Sequence, residues 1–410
     1  MAVANMARGR GRWGLVVLLL GHVLAWSSMS AFSAPTRRTL VAGGATVGVA
    51  TGAPPVVAEE TPLKSAWPAK DGVQFMRFYE DQYDAERDDT RRTPQFIQAI
   101  QERVKGREGL TVLDIGTGPF ALFALVAARA GAKKVYAVEG NPEAAERARN
   151  TIAEQEDVPE GVIEVIEGFS TAVTLPEKVD LVCAEIVGAF ATQENICATI
   201  QDAQRRHMKD ASNPQNYIPS VVQSWTAPVS YALHPVLSPK FEKLQGQPLT
   251  LNPRDRTLEL ISDPQVLEEI NFAKSLPEGK QSKSLSFKVS RDRLRANYDA
   301  YYEALTTKEE VKAEDAKPLA TQTTKSFSGM AIWPRLILDP EGKIVVESRG
   351  PLGEHQKSHW PTLLTLMSPS PVPIEPEDVL KITETTELSK GDILVPVKYS
   401  FQGTLTSGSA

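Results

Sequence analysis

The segment Thr111–Phe123, TVLDIGTGPFALF, constrains the fold more than any other stretch of the chain. Its apolar residues Val112–Ile115 predict a buried strand, and Ala121–Ala130 predicts the helix that follows. Gly116 and Gly118 lie between them, where glycines supply a tight turn and allow a ligand to approach the backbone closely. A strand, a glycine turn and a helix in this order are typical of a Rossmann-like α/β domain that binds a nucleotide.

Two acids at strand ends narrow the choice of ligand. Asp114 lies near the end of the first strand, and Glu139 follows a second predicted strand, Val135–Val138. A carboxylate at that second position can accept two hydrogen bonds from ribose hydroxyls. Pro119 and Phe120 occupy the place where a dinucleotide fold needs room for pyrophosphate. The pattern therefore favours S-adenosylmethionine, which carries no phosphate.

Glu185 and Glu194, nine positions apart, follow the apolar run Val179–Ala184. The run predicts a central parallel strand, and Asn195–Arg206 has helical periodicity. Both carboxylates would then flank a strand-to-helix crossing at the sheet edge where α/β proteins bind ligands. The alternative for this stretch alone is that the first glutamate ends a strand and the second caps a helix. The glycine turn upstream favours the functional interpretation, because the loop then lies over the cofactor's sulfonium.

Composition excludes several classes of protein. The chain has 410 residues, of which 41% are hydrophobic and 23% charged, as in an ordinary globular protein of two domains with extensions. A net charge of −6 argues against a general nucleic-acid binder. The two cysteines, Cys183 and Cys197, lie in apolar patterns, and the five histidines are scattered. No disulfide framework and no metal site are therefore predicted.

From Tyr217 onward the pattern changes to short alternating runs separated by Pro, Gly and Asp turns, which predict an antiparallel barrel or sandwich. Within this half, Arg291–Leu305 predicts a helix that either packs on a partner or lies in solvent as an insertion. The next stretch, Leu305–Thr324, is polar and rich in Lys and Glu. Two domains are expected: an S-adenosylmethionine-binding domain over residues 63–215 and a β-barrel over residues 216–405.

Three separated motifs occur in an order that resembles one known family. In chain order they are Asp89-Thr-Arg-Arg92 on a predicted helix Asp88–Ile100, the pair Glu185 and Glu194, and Ser358-His359-Trp360. The protein arginine methyltransferases carry Asp-x-x-Arg on an early helix, two glutamates nine positions apart after the fourth strand, and a late Thr-His-Trp loop. The matches run in order from about Tyr79 to Phe401, which makes the set far more specific than any one member.

The resemblance implies a Rossmann-like domain followed by a β-barrel, and methyl transfer to arginine in a protein substrate. Glu185 and Glu194 would clamp the guanidinium, whose planar donor fork suits two carboxylates. His359, paired with Asp89, would accept a proton. Trp360 would form a second wall of the arginine pocket. The family's homodimers make a second copy of this chain a candidate partner, and no nucleic acid is expected.

The cofactor side carries its own implications and two departures from the family pattern. Arg92 would hold the carboxylate of S-adenosylmethionine, and Tyr79 would cover the cofactor. Asp114, Gly116, Gly118 and Glu139 would complete the cofactor site. Phe120 replaces the family's third glycine and could either crowd the amino-acid portion of the cofactor or merely alter the turn. Thr171 stands where an acid usually contacts the adenine amine.

Two other functions stay open at this point. One is a methyltransferase for a small amine or another side chain, and the other is a catalytically silent binding module that keeps the same fold. The degree of methylation depends on the volume of the pocket, which the sequence does not give.

The first sixty residues indicate targeting rather than fold. Arg8, Arg10 and Arg12 precede the apolar run Gly14–Trp26, which is the layout of a secretory signal peptide. The segment from Phe32 to Ala58 resembles the bipartite presequences of algae with secondary plastids, with a further thylakoid-transfer signal. We expect a presequence over residues 1–62, a plastid address that extends to the thylakoid lumen, and no stable membrane anchor after processing. Plain secretion is the alternative.

Overall fold

A computed structural model describes residues 61–69, 78–234, 247–307 and 313–408 of the chain. The expected presequence lies outside these residues except for its last two positions, so the plastid address stays a prediction. Among the described residues, no helix is long and apolar enough to cross a bilayer.

The first described strand, β1 (Thr61–Pro68), pairs along its whole length with the last strand of the chain, Lys398–Thr406. Its side chains alternate between buried and exposed, and Leu63 and Trp67 are both 3% exposed. This strand is therefore part of the antiparallel half of the molecule, whereas the sequence analysis grouped it with the first domain over residues 63–215.

Five parallel strands form the sheet of the first half. They are β2 (Thr111–Ile115), β3 (Lys134–Glu139), β4 (Ile163–Glu167), β5 (Leu181–Ala184) and β6 (Tyr217–Ile218). They lie in the order β4-β3-β2-β5-β6, which places the topological switch point between β2 and β5. Ligands bind at the carboxyl edge of such a switch point in open α/β sheets. The Rossmann-like domain predicted from the glycine turn is confirmed.

Helices connect these strands. They are α1 (Glu80–Arg87), α2 (Thr93–Val104), α3 (Leu122–Arg129), α4 (Pro142–Ala153) and α5 (Ile196–Arg206). The prediction of one helix over Asp88–Ile100 is wrong, because the chain turns before Thr93. Asp89 Oδ1 accepts hydrogen bonds from the amides of Arg91 and Arg92 at 2.9 and 3.2 Å, which competes with helical bonding. Pro94 then lies in the first turn of α2, where its missing N–H costs nothing.

Antiparallel strands form the second half, which is the predicted β-barrel. They are β7 (Val221–Tyr231), β8 (Leu249–Leu251), β9 (Leu258–Leu260), β10 (Gln265–Asn271), β11 (Lys280–Lys288), β12 (Ser326–Phe327), β13 (Gly329–Ile337), β14 (Val345–Glu347), β15 (Thr362–Leu366), β16 (Val372–Pro373), β17 (Val379–Glu387) and β18 (Lys398–Thr406). One sheet has the order β1-β18-β17-β11 and the larger one β10-β7-β13-β15-β8. The core continues without a break from the parallel sheet into this half.

Two helices lie between β11 and β12 in the chain, α6 (Arg291–Thr306) and α7 (Ala313–Thr324). The first confirms the predicted helix. The second lies in the polar stretch for which the sequence predicted no element. Ala316 and Ala320 of α7 are fully buried, and residues as small as alanine give a weak apolar pattern in the sequence.

Candidate active site

A cavity of about 520 Å³ opens at the carboxyl edge of the parallel sheet. Its walls include Gly116 after β2, Glu139 at the end of β3, and the glutamate loop, which we define as Glu185–Glu194 after β5. The His-Trp loop, residues 358–361, closes it from the barrel side. This volume is typical of a small-molecule site, and several elements that are distant in sequence converge on it.

The glycine turn after β2 has a backbone that only glycine adopts easily. Gly116 and Gly118 have φ of +77° and +65°. A Cβ on Gly116 would lie 2.9 Å from the side chain of Ile186, so the turn also approaches the glutamate loop closely. Asp114, which is 1% exposed, accepts a hydrogen bond of 2.6 Å from the Thr117 hydroxyl. Burial raises the pKa of Asp114 to about 7. Asp114 thus stabilises the turn through a buried hydrogen bond.

Glu139 lines the cavity at the position predicted for ribose binding. Its Oε2 accepts from the amide of Gly118 at 2.9 Å and its Oε1 from the amide of Asn141 at 2.8 Å. Burial raises the pKa of Glu139, and these amide bonds oppose the rise. A carboxylate offers about four acceptor sites, so capacity remains for hydroxyl groups of a ligand. The residue fits the predicted role.

Aromatic side chains line the rest of the cofactor side. Tyr79, 47% exposed, lies at the start of α1, and Phe169 and Ser170 come from the loop after β4. Thr171, the departure noted in the sequence, directly follows them and is half-buried. Phe169 and Ser170 line the cavity at this point, and Thr171 does not.

The Phe120 side chain does not line the main cavity, where the sequence suggested that it could crowd the cofactor. Its ring packs under the Arg87 guanidinium, 4.5 Å from ring centroid to Cζ. Together with Pro119 and Arg147 it lines a separate small pocket between α1 and α4. Replacement of the third glycine therefore changes the outer side of the turn rather than the wall of the main cavity.

Glu185 forms an ion pair with Arg92, and the two side chains are 8% and 6% exposed. Arg92 Nη1 also donates to the carbonyl of Glu86 at 3.3 Å, and its guanidinium lies against Phe96 and Phe123. Burial lowers the pKa of Arg92, but Glu185 and Glu86 raise it by more. Arg92 is thus the counter-ion of the first clamp residue, and its binding of the cofactor carboxylate stays a prediction.

His359 and Asp89, which are 270 positions apart, meet beside the glutamate loop. His359 Nδ1 and its backbone amide both donate to Asp89 Oδ2 at 2.8 Å. Burial lowers the pKa of His359, against the opposing effect of Asp89. Burial raises the pKa of Asp89, but the hydrogen bonds from His359 hold it well below its usual range. The pair is therefore a carboxylate and a neutral imidazole protonated at Nδ1, which leaves Nε2 able to accept a proton.

Trp360 joins the two loops. Its indole N–H donates to the carbonyl of Val187 at 2.7 Å, and its ring lies 4.0 Å from that of His359 between centroids. Trp360 lines the cavity and is 4% exposed. The predicted second wall of the pocket is therefore attached to the glutamate loop itself.

Glu86 is a cavity residue that the sequence analysis missed. Burial, and then the charge of Glu185, raise its pKa to about 7. A signal was present in the sequence, since Tyr79, Tyr83 and Glu86 have the i, i+4, i+7 spacing of one helix face. All three side chains line the cavity, and Glu86 is close enough to Glu185 for that charge to raise its pKa.

The cavity is anionic. Among the described residues that line it are four glutamates, Glu86, Glu139, Glu185 and Glu194, and no Lys or Arg. Within the described part of the chain, no group of His, Cys, Asp and Glu has an arrangement that could hold a metal ion. Such a lining attracts cations, which include a sulfonium and a guanidinium.

Comparison with known proteins finds similarity to methyltransferases in the segment that carries much of this cavity. Residues 90–210 match a protein family described as ribosomal protein L11 methyltransferase (PrmA). Over 134 residues the chain is 35% identical to protein arginine N-methyltransferase PRMT10 of Arabidopsis thaliana, a match that covers 33% of each chain. Over 142 residues it is 32% identical to protein arginine N-methyltransferase 6 of Danio rerio, covering 35% and 39% of the two chains. The chain thus spans roughly a third of the length of these curated relatives.

Solved structures extend the likeness over most of the fold. Arabidopsis thaliana protein arginine methyltransferase 10, described in an open conformation, has a TM-score of 0.61 at 21% identity, covering 82% of this chain and 96% of that one. The Trypanosoma brucei PRMT1 enzyme-prozyme complex with AdoHcy has a TM-score of 0.57 at 15% identity, covering 75% and 88%. The resemblance to the protein arginine methyltransferases is confirmed, in sequence within the first domain and in fold across both.

Proposed function

We propose that this protein transfers a methyl group from S-adenosylmethionine to the guanidinium of arginine residues in proteins. The observation that carries the proposal is the glutamate loop, which brings Glu185 and Glu194 to one anionic cavity beside the His359–Asp89 pair. A nucleotide site alone would fit many methyltransferases. Two carboxylates with an adjacent neutral imidazole fit an acceptor that is planar, cationic and must lose a proton.

The residues present fit S-adenosylmethionine, which supplies an electrophilic methyl carbon on a sulfonium. Glu139 would accept from the ribose hydroxyls with the capacity that its two amide bonds leave. The glycine turn would allow close approach of the ligand to the backbone, and Tyr79 would cover it. Arg92 is paired with Glu185 and does not line the cavity, so its contact with the cofactor carboxylate rests on the family resemblance alone.

The acceptor side prepares a poor nucleophile. A guanidinium has a pKa of roughly 12.5–13.8 and its lone pairs are delocalised. Two carboxylates that hold the positive charge on the distal nitrogens leave more electron density on the nitrogen that faces the methyl group. Holding both reactants in line supplies much of the rate, because aligned groups reach high effective molarities.

Transfer to a guanidinium releases one proton. His359 is neutral and accepts at Nε2, since its Nδ1 hydrogen is committed to Asp89 at 2.8 Å. The carboxylate of Asp89 stabilises the imidazolium that forms. The pair can therefore receive the proton and pass it to solvent.

The full chain with methyl-labelled S-adenosylmethionine tests the proposal. The substrates are an Arg-rich peptide, the same peptide with Lys for Arg, and a panel of small amines. We expect acid-stable label on arginine of the first peptide only. Label on lysine or on small amines would assign the chain to amine methylation, and absence of both transfer and cofactor binding would assign it to the silent binding modules.

We also propose that two copies of the chain associate through the helices α6 and α7. The support is that α6 and α7 pack on each other, and that Tyr298 and Tyr302, both partly exposed, stack on α6 with centroids 6.1 Å apart. Sedimentation of the full chain should give a dimer, and Tyr298→Ser with Tyr302→Ser should shift it to the monomer. A monomeric wild type contradicts the assignment.

The presequence supports a plastid address as a further proposal. The observation is the layout of a basic start, an apolar run, Phe32 and a second apolar segment. Imaging of a fluorescently tagged full-length chain should give plastid signal. Deletion of residues 27–60 should redirect the chain to secretion, and a secreted full-length chain would overturn the proposal.

A further inference from the structure

The glutamate loop is held at its C-terminal half by the barrel rather than by its own domain. The amide of Ala191 donates to the Ser224 hydroxyl of β7 at 2.9 Å. Thr192 Oγ1 donates to the carboxylate of Glu268 on β10 at 3.0 and 3.2 Å. Asn195, at the other end, donates to the carbonyls of Ile393 and Val395 at 2.9 and 3.0 Å.

Only Gln193 and Glu194 lie between these anchors, Thr192 and Asn195. Asn195 has a φ of +60°, so the chain direction after Glu194 is fixed as well. Thr192 is 1% exposed and Asn195 is 4% exposed. The anchors at Thr192 and Asn195 therefore both position the backbone that carries Glu194.

Glu268 holds Thr192 and also accepts hydrogen bonds from other hydroxyl groups of the barrel. Besides Thr192, its carboxylate accepts from Ser224 at 2.7 Å and from Thr386 of β17 at 3.3 Å. The Tyr399 hydroxyl of β18 is 3.0 Å from Thr192 Oγ1. One carboxylate thus ties three barrel strands to the loop that carries Glu194.

Aromatic packing fixes the residues just before. The ring of Phe190 stacks on Tyr399 with centroids 4.1 Å apart, and Tyr399 in turn contacts Trp67 of β1 at 4.5 Å. These ring contacts position the loop but do not orient the side chain of Thr192. The hydrogen bond to Glu268 orients it.

We propose, on the basis of the function above, that Glu268 is a positioning residue for arginine methylation. It orients Thr192 and thereby holds Glu194 toward the acceptor guanidinium, so that the barrel sets the activity of a clamp carried by the first domain. Glu268 itself lies on β10, outside the residues that form the clamp.

The state of Glu268 depends on its charged and titratable neighbours. Glu384 faces it from β17, Lys283 from β11, Tyr399 from β18 and Cys197 from α5. Burial raises the pKa of Glu268 to about 7, and the hydroxyl bonds and Lys283 oppose the rise. Ionised Glu268 accepts from all its hydroxyl partners, whereas the protonated acid uses one oxygen as a donor. We expect kcat to increase as the pH rises through about 7.

Two matched pairs of variants test the inference. Glu268→Gln imitates the protonated state, with Glu269→Gln on the same strand as its control. Thr192→Val removes the hydroxyl, and Thr192→Ser retains it. We expect Glu268→Gln and Thr192→Val to lower kcat about tenfold, the effect of losing one charge-assisted hydrogen bond. The two controls should stay within about twofold, as should cofactor affinity in all four.

The pH profile separates positioning from simple destabilisation. Glu268→Gln should remove the rise in kcat near pH 7, while a merely structural change would leave its shape intact. Wild-type kcat and profile in Glu268→Gln would overturn the proposal, as would a proportional loss of cofactor affinity.

Hydrogen exchange keeps this test independent of the proposed function. Glu268→Gln should speed exchange of the Ala191–Asn195 amides, and Glu269→Gln should leave it unchanged. If the wild type transfers no methyl group to arginine, the proposed function fails while this exchange result still decides whether Glu268 holds the loop. Unchanged exchange in Glu268→Gln contradicts the inference in either case.

Discussion

The two sides of the cavity are built in different ways. On the cofactor side, the glycine turn and Glu139 are joined by a hydrogen bond between residues 21 positions apart. On the acceptor side, Arg92 meets Glu185 across 93 positions and His359 meets Asp89 across 270. The cofactor side is thus formed by local sequence, whereas the acceptor side joins distant segments, and its His359–Asp89 pair exists only after the barrel has closed on the parallel sheet.

This difference predicts how the two sides respond to substitution. Changes on the cofactor side should alter ligand affinity and leave the rest of the molecule intact. Changes on the acceptor side should alter transfer, and those that break a buried pair should also lower stability.

Glu185→Gln should have the largest effect. It removes one clamp carboxylate and leaves the Arg92 guanidinium, 6% exposed, without an ionised partner. We expect a loss of about 10²–10³-fold in kcat and of up to about 3 kcal/mol in the free energy of unfolding. Steady-state kinetics and denaturant titration measure the two. Glu167→Gln, at the exposed end of β4, is the control, and near-normal transfer in Glu185→Gln would falsify the clamp.

His359→Gln should lower kcat by about 10²-fold, because it removes the proton acceptor. Burial lowers the pKa of His359, so the imidazole stays neutral to a pH below its ordinary value. Below the rise in kcat assigned to Glu268, the wild-type kcat should therefore show a further fall as the pH drops below about 6.5. The variant should lack this acid limb. His355→Gln, whose ring bonds to Pro253 and Glu259 instead, should keep it.

The sequence predicted the glycine turn and the strand ends that line the cofactor side of the cavity, because those signals are local. The turn at Gly116 and Gly118, the strand ends and Glu139 all follow from periodicity and glycine placement within some thirty residues. The acceptor side needed the family resemblance to connect His359 with Asp89. No local pattern encodes a contact between segments so far apart.

Two features of the site could not be predicted from the sequence, for physical reasons. The ion pair of Arg92 with Glu185 depends on the turn that Asp89 imposes before α2, and that turn was predicted as helix. The role of Glu268 depends on a strand that approaches the glutamate loop only in the folded barrel. A lone glutamate in an alternating strand looks like any solvent-facing residue.

Glu139→Gln should lower the affinity for S-adenosylmethionine and have little effect on kcat. It weakens the hydrogen bonds expected from the ribose, and bonds to a charged acceptor contribute about 1.5–3 kcal/mol. We expect the Kd for S-adenosylmethionine to rise at least about tenfold by calorimetry. At saturating cofactor, kcat should stay within about twofold. Glu143→Gln, exposed in the first turn of α4, is the matched control, and an unchanged Kd in Glu139→Gln moves the ribose contact elsewhere.

Glu86→Gln should change the pH dependence of the KM for an arginine peptide by a few-fold. Because burial and Glu185 raise the pKa of Glu86 to about 7, its charge develops as the pH rises through that value. The wild-type KM for an arginine peptide should fall over the same range, and the variant should show a flat KM. Glu80→Gln on the same helix is the control.

The same shift has a consequence for stability. An acid whose pKa is raised on folding gives stability that is complete below the unfolded pKa of about 4.5 and is lost as the pH rises to about 7. Denaturation of Glu86→Gln should therefore depend less on pH between those values than denaturation of the wild type. If the free energy of unfolding depended on pH equally in the wild type and in Glu86→Gln, Glu86 would be exposed to solvent.

Phe120→Ala should have the smallest effect and defines the boundary of the cofactor side. Its ring packs on Arg87 outside the cavity, so its loss should cost at most about 1 kcal/mol and leave the Kd for S-adenosylmethionine within about twofold. Phe123→Ala is the matched contrast. That ring is 7% exposed, stacks on Phe96 at 4.7 Å and lies 5.2 Å from Arg92, so its loss should cost about 3 kcal/mol and impair transfer through Arg92. A several-fold gain in cofactor affinity in Phe120→Ala would show that the ring crowds the ligand, and the outer face of the glycine turn would then be part of the site.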